Sequence, residues 1–228
     1  MSLRVYLTDV SALENDALFT RLYGAVSPER QGKTDRLRFP KDKYLSLGAE
    51  YLLICACEDY GIDYRKASVL TDCHGKPFFK DIPLYFSLSH SGRYAMCAVS
   101  DEPVGCDIEE MLPMDDAQCL ALAKQFLSPE DAREFEQLLD EPCSSDFSAG
   151  VCSAAAEAFY RLWTEAESFY KCFGKDFPIS TKRDFKDCRF IRYFPEVAYS
   201  CCLCVKKDKT EISDYENVLR YRQIGAEL

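Results

Sequence analysis

The sequence predicts an α+β protein of two lobes, each a small, largely antiparallel sheet with a long helix, and an active site in the cleft between them. Two observations predict the lobes. Long helical stretches at 43–60 and 153–173 each run into a glycine, Gly61 and Gly174. Short β-rich runs cluster at 84–109 and again at 189–205, so each half pairs strands with one long helix. The 228 residues suffice for two small domains, and the division falls between 1–103 and 104–228.

Residues 1–9 alternate apolar and polar side chains and predict a strand, and Ser11 to Gly24 predicts a helix. From Lys43 to Tyr60 the apolar positions Leu45, Leu47, Tyr51, Leu52 and Ile54 give the first long helix its contacts. His74-Gly75-Lys76-Pro77 marks a turn. Strands are expected at Leu84–Ser89, Tyr94–Ser100 and Val104–Glu109, joined by Ser91-Gly92 and Asp101-Glu102-Pro103 into a three-stranded meander. Helices follow at Ala117–Leu127 and Pro129–Leu139, the second opened by Ser128-Pro129. Asp140 to Gly150 reads as a loop, Ser153 to Phe173 as the second long helix, and 189–194 with 197–205 as a hairpin.

Composition narrows the function classes. A 47% hydrophobic content fits a globular core, and a formal net charge of −10 argues against a nucleic-acid binder. The start MSLRVYLTDV lacks the basic and apolar regions of a signal peptide, and no apolar run is long enough to span a bilayer, so a cytoplasmic protein without a membrane partner is expected. Thirteen cysteines without a secretory signal or zinc-site spacing predict reduced, mostly buried thiols. One segment runs against the overall charge: Arg30, Lys33, Arg36, Arg38, Lys41 and Lys43 face only Asp35 and Asp42. Such an island suits a local anion such as phosphate, and equally a solvated face.

Three constellations could carry chemistry. Asp107 and Glu109 lie two apart on a predicted strand and project together. Paired carboxylates repel unless a cation or base lies between them, and oxygen-only ligands suit a hard ion such as magnesium; two solvated acids on an edge strand are the alternative. Glu167 and Lys171, four apart on the long helix, form either a surface pair or a carboxylate and a phosphate anchor. Ser89-His90-Ser91-Gly92 ends a strand with several donors for an anionic oxygen, or makes an ordinary surface turn.

Together these motifs resemble the 4′-phosphopantetheinyl transferases of the surfactin-synthetase-activating type. The resemblance rests on Gly75-Lys76-Pro77, Ser89 to Gly92, GCDIEE at 105–110, AKQFLSPED at 123–131 and WTEAESFYK at 163–171, in order and with fitting gaps. It spans about Pro28 to Lys171.

The resemblance implies a pseudo-twofold, two-lobed monomer whose N-terminal lobe holds the nucleotide of coenzyme A, a co-substrate, and whose C-terminal lobe holds magnesium. It implies Asp107, Glu109 and Glu167 as metal ligands. Arg30 and Lys33 would hold the 3′-phosphate, with Lys43 near another basic position, one residue short in its spacing to Gly48. Gly75 and Lys76 would lie beside the adenosine diphosphate end, and Ser89 and His90 on the phosphates. The implied activity is that of a holo-[acyl-carrier-protein] synthase: phosphopantetheine moves to a serine of an acyl or peptidyl carrier protein, and adenosine 3′,5′-bisphosphate leaves. Glu167 is the implied base, and His90 and Lys171 the groups that stabilise the leaving phosphate. An apolar patch near Phe126 and Leu127 is a candidate seat for the carrier. Ala166 departs from the family pattern, W-T/S-x-K-E, at its lysine, which leaves a non-catalytic binder of coenzyme A or carrier protein as the alternative.

Overall fold

The computed structural model describes residues 3–73, 75–140, 152–173, 188–193, 196, 198–206 and 219–225. It is an α+β chain divided into two compact units, Met1–Val104 with Lys209–Leu228, and Gly105–Asp208.

In the first unit, β1 (Leu3–Asp9) leads through a 3₁₀ turn (Val10–Glu14) to α1 (Asp16–Ala25). The helix expected over 11–24 is interrupted because Asn15 restarts it, its Oδ1 accepting the Ala17 and Leu18 amides at 3.0 and 3.1 Å. The basic island is divided among α2 (Pro28–Arg36), the link that holds Arg38, and the first turn of α3 (Pro40–Asp59), each helix with proline at its start. Ser27 caps α2 by accepting the Arg30 amide at 3.2 Å. A two-stranded hairpin, β2 (Val69–Thr71) and β3 (Pro77–Phe79), holds the Gly75-Lys76-Pro77 turn.

The main sheet of this unit combines β4 (Tyr85–Ser91), β5 (Tyr94–Ser100), β1 and β9 (Leu219–Tyr221), in the order β4-β5-β1-β9. Both β4 and β1 run antiparallel to β5, while β9 is parallel to β1. One core joins α3 to the sheet through Tyr6, Leu47, Leu52, Ala56, Phe86 and Val99. The expected meander ends after two strands. The second edge of β5 is occupied by all seven residues of β1, from Leu3↔Ser100 to Asp9↔Tyr94, so β6 (Val104–Glu110) joins another sheet.

That sheet belongs to the second unit and has the order β6-β8-β7, with β7 (Cys188–Tyr193) antiparallel to β8 (Tyr199–Lys206). Between β6 and β7 come α4 (Asp116–Phe126), α5 (Pro129–Asp140) and α6 (Ala154–Phe173). Asp115 and Gln118 form a capping box on α4, and Ser128 caps α5 by accepting the Asp131 amide at 3.0 Å. The loop expected over 140–150 lies, beyond its first residue, outside the described residues, as do Gly174 and Pro195.

Small residues let α6 lie close to this sheet. Thr164, Ser168 and Cys172, four apart, meet Ser200, Cys202 and Cys204, two apart. Thr164 Oγ1 is 3.1 Å from Ser200 Oγ, Ser168 hydrogen-bonds the Cys202 thiol, and Cys172 packs with Cys204. The steps match, about 6 Å for four helical residues and about 6.6 Å for two strand residues. This zipper absorbs three of the cysteines, and burial pushes the Cys202 thiol up to about 12.

Candidate active site

Gly105 begins the GCDIEE strand with no side chain, and α6 explains why. A Cβ there would lie 1.9 Å from the Ser168 carbonyl oxygen and 2.5 Å from the Cys172 amide nitrogen, both backbone atoms that cannot turn aside. The strand therefore rests directly on the helix backbone. Two residues along, on the same face, Asp107 is buried and accepts a hydrogen bond from Lys171 Nζ at 2.6 Å. A glycine inside a strand was the available sequence signal for this close approach.

The charges at this point are coupled. Burial works against the Lys171 ammonium, but Asp107 beside it, with smaller contributions from Cys106 and Glu167, holds its pKa above the ordinary lysine value. Burial raises the Glu167 carboxyl above the ordinary glutamate value; Lys171 opposes that rise and the Asp107 charge adds to it. Asp107, Glu167 and Lys171 thus share one local field. Glu109 is half-buried at the end of β6, where its charge and that of Asp107 add to the effect of burial in raising the Cys201 thiol. Among the described residues, no three histidine, cysteine or acidic side chains close around a single point. Of the paired carboxylates, Asp107 has a cationic partner in Lys171.

The donor chemistry nevertheless fits a hard divalent cation. Asp107 and Glu109 leave one face of β6, and the Glu167 carboxyl is raised partly by Asp107, a like-charge crowding that a cation relieves.

The neighbouring helix positions serve packing. Glu165 is buried and takes Nε of Arg192, on β7, at 2.7 Å and Nη2 as well, tying α6 to the sheet edge. Ala166 has no exposed surface and packs in a cluster with Phe135, Phe159 and Leu162. Lys124, on α4, is 2.9 Å from Glu136 on α5. Leu127 is buried, whereas Phe126 is half-buried and packs edge-on against Trp163, ring centroids 5.4 Å apart.

In the first unit, Arg30 donates through Nε to Glu50 Oε2 at 2.7 Å and through Nη1 to Ser46 Oγ at 3.4 Å. Lys33, one turn on, is exposed, yet its ammonium is drawn below the ordinary lysine value by desolvation and then by Arg30. Lys43 lies three residues before Ser46 and seven before Glu50, on the α3 face that meets Arg30. Gly75 adopts φ +84°, and the turn closes as Asp72 Oδ1 accepts the Lys76 amide at 2.9 Å. Lys76 Nζ donates to the Val104 carbonyl at 3.4 Å. Ser89 and His90 alternate on β4, so the serine is buried while the histidine is exposed on the opposite face.

The second unit matches a known family closely. The family model of the 4′-phosphopantetheinyl transferase superfamily matches residues 103–213. A 4′-phosphopantetheinyl transferase of Bacillus subtilis is 34% identical over 168 residues, 73% of this chain and 66% of the relative. The 4′-phosphopantetheinyl transferase psf-1 of Bacillus pumilus is 32% identical over 218 residues, 85% of this chain and 86% of the relative. The 4′-phosphopantetheinyl transferase Sfp of Bacillus subtilis (strain 168) is 32% identical over 159 residues, 68% of this chain and 63% of the relative. The chain thus spans slightly less than two thirds of the two Bacillus subtilis proteins and most of psf-1. By the family model over its second half and a relative 32% identical across 86% of that relative's length, the chain belongs to the 4′-phosphopantetheinyl transferase superfamily.

Proposed function

We propose that this chain is a holo-[acyl-carrier-protein] synthase type transferase, acting as a monomer, that moves 4′-phosphopantetheine from coenzyme A to a serine of an acyl or peptidyl carrier protein. The observation that carries the reading is the shared field of Asp107, Glu167 and Lys171 on a strand and helix in direct backbone contact. Asp107, Glu109 and Glu167 would hold magnesium, which when bound would neutralise charge on the pyrophosphate. Glu167, its carboxyl raised by burial, accepts the proton of the carrier's serine hydroxyl. The serine oxygen bonds to the β-phosphorus, the bond to the bridging oxygen breaks, and adenosine 3′,5′-bisphosphate leaves with that oxygen. Lys171 and His90 stabilise the charge on the leaving phosphate. Gly75, Lys76 and Ser89 would bind the nucleotide, with Arg30, Lys33 and Lys43 on its 3′-phosphate. The buried free cysteines fit a reducing, cytoplasmic setting, and among the described residues no helix is long and apolar enough to cross a membrane.

The second reading, a non-catalytic binder of coenzyme A or carrier protein, is favoured by Ala166, which turns the family's lysine position into core. Calorimetry with coenzyme A and mass spectrometry of the incubated carrier separate the two. A phosphopantetheine adduct on the carrier supports transfer; binding without an adduct supports the second reading.

A further inference from the structure

Glu50 is a buried carboxylate in α3, and no step of the proposed transfer assigns it a role. Its two oxygens hold two donors: Oε2 takes Arg30 Nε at 2.7 Å, and Oε1 takes the Ser27 amide, at the start of α2, also at 2.7 Å. The Tyr64 hydroxyl bonds the same carboxylate. Its side chain is 5% exposed and that of Arg30 14%, so this is an internal anchor rather than a solvated surface pair.

An arginine has five N–H donors in a rigid fork. Here Nε and Nη1 are engaged with Glu50 and Ser46, and Nη2 carries neither bond. Anchoring at Nε fixes the guanidinium plane, and therefore the direction in which the Nη2 donors point. A flexible cation on a free stem would have to be ordered when it met a ligand. One held from behind is ordered in advance.

We propose that Glu50 is a positioning residue: by holding Nε of Arg30 it orients the guanidinium for the 3′-phosphate of coenzyme A and so sets the preference for coenzyme A over its 3′-dephospho form. This rests on the reading of Arg30 as a 3′-phosphate anchor, and the variants separate the two claims. Glu50 itself touches no substrate. Glutamine at position 50 has one acceptor oxygen where Arg30 Nε and the Ser27 amide each took a separate one, and its amide group would face one of these two donors, so Glu50→Gln releases either Arg30 or the head of α2.

The test is calorimetry of coenzyme A and 3′-dephospho-coenzyme A on the full chain, with thermal melts as a check on folding. Arg30→Ala should lower the preference for coenzyme A by about tenfold or more, as expected for a lost charged hydrogen bond. Glu50→Gln should lower the same preference several-fold, and should change it no further in an Arg30→Ala background. Arg30→Lys keeps the charge but cannot be anchored at Nε and still present a fork, so it should lose most of the preference; it decides the matter if Glu50→Gln does not fold. Equal losses on both ligands in Arg30→Ala overturn the reading of Arg30, and the proposal with it. A preference that falls in Arg30→Ala but survives in both Glu50→Gln and Arg30→Lys overturns the role of Glu50 alone.

Discussion

Lys171 meets Asp107 at 2.6 Å, and this contact changes what substitution at either residue should do. As a metal ligand implied by the family resemblance, Asp107 would be expected to leave the fold intact when lost. With Lys171 bonded to it, Asp107→Ala also strips a partly buried ammonium of its carboxylate, so the variant should lose about 1–3 kcal/mol of stability as well as transfer activity. Denaturant melts in the presence of a chelator measure that loss without metal binding. Ala166 is a second residue whose reading shifts. Its place in the family pattern suggests that Ala166→Lys could raise the rate. The absence of exposed surface, and the packing against Phe135, Phe159 and Leu162, instead predict destabilisation by at least about 1–3 kcal/mol from overpacking alone. A thermal melt of Ala166→Lys that matched the wild type would contradict this placement.

At the scale of elements, two glycines serve different ends. Gly105 is needed for space, since any side chain meets the backbone of α6. Gly75 is needed for its positive φ, since nothing lies within 4 Å of its Cβ position. Gly105→Ala should therefore push β6 from α6, costing about 1–3 kcal/mol or more and opening the Asp107–Lys171 contact. Gly75→Ala should cost only the backbone strain, about 1–2 kcal/mol, and leave the second unit unchanged. Denaturant melts and hydrogen exchange on α6 distinguish these outcomes. The elements that were legible have local signals: the Ser128-Pro129 start of α5, the alternation in β4 and the apolar run of β5; α2 was not read, although Ser27-Pro28 marks its start. The sheet joined by β6 was not legible. A strand's neighbour is chosen by tertiary pairing, and nothing within 104–110 reports that β1 already covers the edge of β5. The zipper of Thr164, Ser168 and Cys172 was visible as small residues four apart, but its meaning required the matching Ser200, Cys202 and Cys204. For the same reason the coupling of Asp107 with Glu167 and Lys171, which lie far along the chain, could be reached from the family motifs but not from spacing.

At the scale of the molecule, the chain leaves the first unit at Val104 and returns to it from Lys209, so the first unit is built from both ends of the sequence. Three residues of β9 are too short to announce themselves as a strand; they are held by pairing with β1 and by the contacts of Arg222 and Gln223. Arg222 Nη2 reaches both oxygens of Asp59 at 2.7 Å, and the Tyr51 hydroxyl donates to the Gln223 carbonyl at 3.1 Å. Burial tends to raise the Asp59 carboxyl, but hydrogen bonds from Arg222 and Tyr6 outweigh it and hold the pKa below the ordinary value. A depressed carboxylate contributes stability above its unfolded pKa, about 3.9, and that contribution is lost as pH falls through the folded value. Melts of wild type and Asp59→Asn should thus differ at neutral pH and converge in acid. The central claim, that the field of Asp107, Glu167 and Lys171 serves phosphopantetheine transfer, is tested most directly by intact-protein mass spectrometry. The purified chain is incubated with coenzyme A, magnesium and a panel of fatty-acid, polyketide and peptide carrier proteins in their unmodified form. The account predicts a phosphopantetheine adduct on the serine of at least one carrier, absent with Glu167→Gln. A chain that binds coenzyme A but modifies no carrier on the panel, or a Glu167→Gln variant as active as the wild type, would contradict it.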